Sequence, residues 1–204
     1  MEIIAEGLGK RYNFQWIFSE IQWHIEQGSK WVILGANGSG KSTLLQIIAG
    51  AHHASAGDIT WKAQGQLIDA EQVYQYVSLA APYLELIEDF TLKEHLAFHF
   101  SLKQTQLSLA DLVHLSSLSH AADRPIRYYS SGMKQRVRLL LAICSKAPLL
   151  LLDEPTSNLD EAGIQWYQNL VHEFATDKTI VVASNHQSRE YAFCDKQLSL
   201  VAAS

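Results

Sequence analysis

The sequence is short of most features that mark secreted, membrane-spanning or nucleic-acid-binding proteins. It has only two cysteines, Cys144 and Cys194, with no metal-ligand spacing between them. That excludes a disulfide framework and a cysteine-based metal site, and leaves two plain buried or semi-buried thiols that suit a reducing cytosol. The opening stretch MEIIAEGLGKRYNF has no apolar region, so no signal peptide is expected. There is no long hydrophobic run either. The longest, Val137 to Leu152, is broken by Arg138, Lys146 and Pro148, and a membrane span needs about 20 apolar residues. Sixteen Lys and Arg stand against 21 Asp and Glu, a net charge of −5. The basic surplus of a nucleic-acid binder is therefore missing. No repeat, low-complexity stretch or linker divides the chain. What is left is an ordinary globular composition, 48% hydrophobic and 18% charged over 204 residues, the size of one domain with or without a small subdomain.

What is present begins with GANGSGKST, Gly35 to Thr43. It fits G-x-x-x-x-G-K-[ST], a loop whose backbone N–H groups converge on one anion. The setting agrees: KWVILG, Lys30 to Gly35, reads as a buried strand, and KSTLLQIIAG reads as a helix ending at Gly50. Gly38 and Gly40 let the backbone bend close to a phosphate, with Gly35, Asn37, Ser39 and Thr43 completing the loop. The helix N-terminus adds partial positive charge. Lys41 supplies a full one at the β- and γ-phosphates, and Ser42 offers a hydroxyl to Mg²⁺. Upstream, Tyr12 in KRYNFQWIF is a candidate for stacking on an adenine face. It reads equally well as a strand aromatic in a small sheet, and Phe14 and Trp16 compete for the role.

Two further apolar runs end in polar residues. LLLLD, within Leu149 to Asp160, reads as a buried parallel strand with Asp153 and Glu154 at its carboxyl end. That is where α/β sheets place ligands. Asp153 is a candidate Mg²⁺ ligand, and Glu154 a candidate to orient or deprotonate an attacking water. TIVVASNH, Thr179 to His186, reads as another buried strand, and puts the His186 imidazole beside the same site, within reach of a γ-phosphate. His52 and His53 read as solvated, and His95 and His99 as one-turn neighbours on a helix.

Phosphate loops of this kind serve many machines, and YYSSGMKQRVRLLLAICSKAPLLLLDEP, Tyr128 to Pro155, separates them. Here the chain resembles the ATP-binding cassette (ABC) family over nearly its whole length. Ser130-Ser131-Gly132-Met133 resembles the signature motif, followed by Lys134-Gln135-Arg136. Gly35 to Thr43 is similar to the Walker A motif, Leu149 to Asp153 to the Walker B, Ser157 to Asp160 to the D-loop, and His186 to the switch histidine. Tyr12 lies at the spacing of the adenine-stacking aromatic. The resemblance implies an α/β fold of the P-loop type: a single cassette over 1–204 with a mixed β core, about 1–80 and 130–204, and an inserted helical subdomain, about 81–129. It implies ATP and Mg²⁺ as ligands, and a second cassette whose Ser130, Ser131 and Gly132 meet the first one's γ-phosphate. It implies separate transmembrane permease subunits as partners, and a place on the cytoplasmic face of the membrane. Within 81–129, TLKEHLAFHFSLK and LSLADLVHLSSLS have helical spacing, Thr91 and Glu94 form a candidate capping box, and PYLELIEDF is expected near the permease contact.

The pattern has departures. The family's glutamine at the end of the strand entering the subdomain falls on or near Ala80, with Gln72 and Gln75 too early. Water or a neighbouring polar group near Ala80 is then expected to take its part. Ser131 and Met133 replace a glycine and a glutamine of the signature. With the short chain, which lacks the C-terminal extension of many import cassettes, they resemble export-type members. Two other readings stay open: a non-transport ABC ATPase acting on nucleic acid or ribosomes, and a degenerate regulatory subunit.

Overall fold

The computed structural model describes residues 1–201, so the last three positions of the 130–204 segment lie outside the described residues. Two long strands, β1 (Glu2–Tyr12) and β2 (Gln15–Ile25), form an antiparallel hairpin, followed by β3 (Lys30–Leu34) and helix α1 (Lys41–Ile48). A second hairpin, β4 (Ala56–Ala63) and β5 (Gln66–Ile68), leads through a 3₁₀ turn at Ala70–Gln75 to β6 (Val77–Ala80). Helices α2 (Leu92–Leu102) and α3 (Leu109–Leu115) come next, then α4 (Ser131–Ile143), β7 (Leu149–Asp153), α5 (Glu161–Phe174), β8 (Thr179–Ser184) and β9 (Lys196–Ser199). The mixed β core resolves into two sheets. One is antiparallel, in the order β2-β1-β4-β5; the other is parallel, in the order β6-β7-β8-β3-β9.

The parallel sheet is covered on both faces, which is why β7 and β8 read as unbroken aliphatic runs and are buried at every residue. Strand alternation divides those side chains between two cores. Leu149, Leu151, Val181, Ala183 and Ile33 join Leu44, Leu45, Ile47 and Ile48 of α1 and the inner face of the antiparallel sheet. Leu150, Leu152, Ile180, Val182 and Val32 pack on the other side, against α4, α5 and the helices of 92–115. Each fully buried aliphatic side chain contributes roughly 1.5–3 kcal/mol.

Helix ends follow local chemistry. Thr91 caps α2 by accepting from the Glu94 N–H while Glu94 accepts from the Thr91 N–H, and Ser108 with Asp111 does the same for α3. The helix after the phosphate loop ends at Ile48, two residues before the end expected at Gly50, and α4 ends at Ile143. Lys178 is buried and donates to the Ile143 carbonyl at 2.6 Å, satisfying an open carbonyl at the buried end of α4. Both cysteines are free, and burial pushes each thiol up to about 12. His52 and His53 are exposed.

On α2, His95 is buried and His99 is largely buried, and both line a cavity of about 300 Å³ against α4 and β6. Burial, then the neighbouring His95 and Lys103, lowers the His99 pKa from 6.5 to about 4. A histidine held neutral in the fold but free to protonate when unfolded costs stability as pH falls between those two values. Thermal unfolding of the ligand-free protein should therefore shift downward as pH drops through that window, and His99→Leu should flatten the dependence there. An unchanged pH profile in His99→Leu would show that His99 does not carry this acid sensitivity.

Candidate active site

The parallel topology places four chain exits at one edge of the sheet. The phosphate loop follows β3, Asp153 ends β7 and Glu154 follows it, Asn185 and His186 follow β8, and Ala80 ends β6. Because β7, β8 and β3 are adjacent, the loop, the carboxylates and the His186 turn share one stretch of that edge.

The loop is built by close backbone approach. A Cβ on Gly35 would sit 2.5 Å from the Ser39 Oγ and 2.6 Å from the Leu200 carbonyl oxygen. Gly40 has φ 94° and caps α1, and a Cβ there would strike Ile17 at 2.4 Å. Only glycine meets both conditions at Gly40. Lys41 is almost buried, and its Nζ donates to the carbonyls of Gly35 at 2.8 Å and Ala36 at 3.0 Å. The ammonium thus lies inside the loop, where phosphate oxygens can replace those carbonyls. Ser39 carries a buried hydroxyl with no protein partner. Beside these residues lies an open cavity of about 260 Å³, lined by Ile17, Asn37, Gly38, Gly40, Lys41, Ser42, Thr43 and Glu154. Glu154 is therefore brought to the phosphate loop although it lies far away in sequence.

Asp153 is 2% exposed and lies beside the Ser42 hydroxyl. Burial raises its pKa; the Ser42 hydroxyl opposes this, the Glu154 charge adds to it, and the Lys41 charge opposes it. A hydroxyl and a carboxylate are hard oxygen donors. Among the described residues no group of three or more His, Cys, Asp or Glu could hold a metal. The donor set therefore fits a Mg²⁺ that arrives on a nucleotide's phosphates, because Mg²⁺ takes one or two carboxylates and keeps its remaining positions for water and phosphate. Glu154, Asn158 and His186 all adopt left-handed backbone, with φ of 42°, 61° and 57°. Such strain in non-glycine residues clusters where function requires it. The His186 side chain is exposed at the end of its turn.

Other candidates stand apart from the cavity. Tyr12 ends β1 at the hairpin, 47% exposed, with the Lys10 ammonium 5.2 Å from its ring. Phe14 is 99% exposed, and Trp16 stacks on the Arg11 guanidinium. Ser130 is the N-cap of α4 and accepts from the Met133 N–H at 3.2 Å. Ser131 is exposed, and Gly132 packs against the loop after β7, where an added Cβ would come within 2.7 Å of the Asn158 carbonyl oxygen. None of these three residues lines the cavity. Gln72 and Gln75 lie in the 3₁₀ turn before β6. Ala80 is 1% exposed and its methyl faces the core on the α4 side, so the space for water expected there is absent. Glu190 was not singled out by sequence. It is buried in an otherwise exposed turn, where it accepts from the Thr156 hydroxyl at 2.9 Å and ties the His186 turn to the loop after β7. A lone glutamate in a polar stretch gives no sequence signal of burial.

A family model, "ABC transporter", matches residues 18–157. The chain belongs to the ABC transporter family. The cytochrome c biogenesis ATP-binding export protein CcmA of Saccharophagus degradans is 32% identical over 183 residues, covering 84% of this chain and 81% of that protein. Nod factor export ATP-binding protein I of Burkholderia orbicola is 29% identical over 193 residues, covering 92% of this chain; the chain spans only 64% of that relative's length. Among solved structures, the ATP-binding cassette MJ0796, a dimer bound to ADP and Pi, superposes with a TM-score of 0.82 at 20% identity over 97% of this chain and 94% of that one. This likeness concerns the fold. Among the described residues of this cassette, no helix is long and apolar enough to cross a membrane.

The buried Asp153 gives a test of the site. A carboxylate whose pKa is raised in the fold costs nothing below the ordinary carboxylate range, loses stability as pH rises from there to its folded value, and carries the full cost above it. Asp153→Asn should raise the melting temperature of the ligand-free cassette at neutral pH by roughly 2–4 °C. The same variant should lose the extra stabilisation that Mg²⁺ adds to bound ATP. Scanning calorimetry with ATP, with and without Mg²⁺, checks both; an Asp153→Asn variant still stabilised by Mg²⁺ would remove Asp153 from the metal site.

Proposed function

We propose that this cassette binds ATP with Mg²⁺ and hydrolyses it to drive export through separate transmembrane permease subunits, on the cytoplasmic face of a membrane. One observation carries the reading: Lys41, Ser42 and the phosphate loop share a single open cavity with Glu154, directly beside the buried Asp153. In this reading the loop N–H groups and the α1 N-terminus hold the phosphates. Lys41 exchanges its loop carbonyls for β- and γ-phosphate oxygens. Ser42 and Asp153 would hold Mg²⁺, whose charge would offset that of the phosphates when bound. Glu154, aimed by its strained backbone, orients a water and takes its proton. His186 reaches the γ-phosphate from the neighbouring strand end, and Tyr12 is the residue placed to stack on adenine.

The signature residues support a dimer. Ser130, Ser131 and Gly132 form a helix N-terminus outside their own chain's cavity. A helix N-terminus with free donors suits a phosphate, and a second cassette brings it one. MJ0796 is a dimer with ADP and Pi by its description. Export, and not import, follows the functions named for CcmA and the Nod factor protein. The segment 81–129 is the surface we assign to the permease; Ile87 and Phe98 there are 38% and 46% exposed. The acidic balance of the chain favours this partner over nucleic acid.

Glu154→Gln keeps the shape of the side chain and removes its proton acceptor. ATP affinity should be unchanged, while steady-state turnover falls about a hundredfold or more, and the variant should accumulate as an ATP-bound dimer in light scattering. Near-native turnover would exclude Glu154 as the catalytic carboxylate.

A further inference from the structure

Two loops carry Glu154 and His186, and Glu190 stands where they meet. Glu154 follows β7 directly, and its N–H donates to the Ala183 carbonyl of β8 at 3.0 Å. His186 is the second residue after β8. Both hold left-handed backbone, with φ of 42° and 57°, so each departs from the direction of its strand. What fixes one loop against the other beyond the strand ends is a side chain.

The backbone of Glu190 is anchored on two sides. Its N–H donates to the Gln187 carbonyl at 2.9 Å, and the Gln187 N–H donates to the Ser184 Oγ at 3.1 Å, which closes the turn that presents His186. The hydroxyl of Tyr167, a fully buried residue of α5, donates to the Glu190 carbonyl at 2.7 Å. From this base the carboxylate reaches across to the other loop. Its Oε1 accepts from the Thr156 hydroxyl at 2.9 Å and from the Thr156 N–H at 3.3 Å. Thr156 lies inside the turn in which the Ser157 N–H donates to the Glu154 carbonyl at 3.0 Å.

Glu190 is 2% exposed, and its Oε2 is buried without a partner. The adjacent Arg189 turns away to Glu161, at 2.5 Å. A buried carboxylate with no cation costs stability, and an apolar side chain of similar volume would fill the space at less cost. Packing therefore does not account for it. Two bonds from one residue to a charged oxygen fix the Thr156 backbone in direction as well as distance.

We propose that Glu190 is a positioning residue for hydrolysis, holding the loop after β7 against the His186 turn so that Glu154 and His186 meet one γ-phosphate in fixed register. The assignment rests on the function proposed above. Glu190 does not line the phosphate cavity, so it acts through those two residues. A base that must stay within hydrogen-bond reach of its water loses rate when its loop shifts by about an ångström. The phosphate loop, built on β3 and α1, keeps its hold on nucleotide.

The test separates turnover from binding, by steady-state ATPase and by equilibrium binding of a non-hydrolysable ATP analogue. Glu190→Leu removes the link, and kcat should fall about tenfold with KM and analogue affinity unchanged. Thr156→Val cuts the shorter bond from the other side and should lower kcat about threefold. Added to Glu190→Leu it should lower kcat no further, because the bond is already gone. Glu190→Gln keeps an acceptor for Thr156 and should recover most of the rate, which a packing role would not produce. Wild-type kcat in Thr156→Val, additive losses in the double variant, or an equal loss of analogue affinity would overturn the assignment while the proposed function stands. Thr156→Val and Glu190→Gln decide the matter even if Glu190→Leu does not fold. A wild type with no Mg²⁺-dependent turnover removes both the assignment and the proposed function.

Discussion

A parallel sheet packed on both faces can offer a ligand only the edge where its strands end, and this constraint governs the molecule. β7, β8 and β3 lie side by side, and β7 and β8 are buried along their whole length. Whatever follows each strand is therefore delivered to the same few ångströms of surface. The phosphate loop, the Asp153–Glu154 pair and His186 come from widely separated parts of the sequence and meet there for that reason. The antiparallel sheet contributes from the side: Ile17 of β2 fills the space next to Gly40, so the loop cannot accept a side chain at that point.

The same edge carries strained backbone. Glu154, Asn158 and His186 hold left-handed backbone in the loops after β7 and β8. The surroundings over-determine those conformations. The Glu154 N–H donates to the Ala183 carbonyl of β8 at 3.0 Å, Glu190 ties Thr156 to the turn after β8, and the buried Gln135 of α4 donates to the Pro155 carbonyl at 3.0 Å. Gly132 packs on the Asn158 carbonyl without room for a Cβ. The start of α4 and the strained loop after β7 therefore form one packed unit. A phosphate presented to α4 by a second cassette would be felt by the loop that carries Glu154.

Much of this was legible in the sequence, and what was legible is local. The phosphate loop, the unbroken runs of β7 and β8, and the Thr91–Glu94 capping box each depend on neighbours within a few residues. The helix after Lys41 was equally readable, though its end was not: helix termini are set by tertiary contacts such as the Trp61 indole donating to the Ile48 carbonyl at 2.8 Å. The antiparallel sheet was not legible in detail. Its register shifts repeatedly between Ala5 and Arg11, and β1 pairs with β4 across a long stretch of chain (Ile3 with Trp61), which no local pattern reports. The sequence reads Ala80 as a missing polar group with water or a neighbouring polar group near it, whereas in the fold its methyl faces the core, an orientation set by sheet register and not by local pattern.

In the proposed dimer, one chain holds half of each catalytic site. Mixing two inactive variants tests it most directly. Lys41→Ala spoils the phosphate loop, and Ser130→Arg fills the space proposed for the partner's γ-phosphate. Each homodimer then has two damaged sites, whereas a heterodimer has one site with both lesions and one with neither. ATPase activity should be absent in each pure variant and partly restored on mixing. No restoration, with heterodimers demonstrated in the same sample, would contradict the shared site.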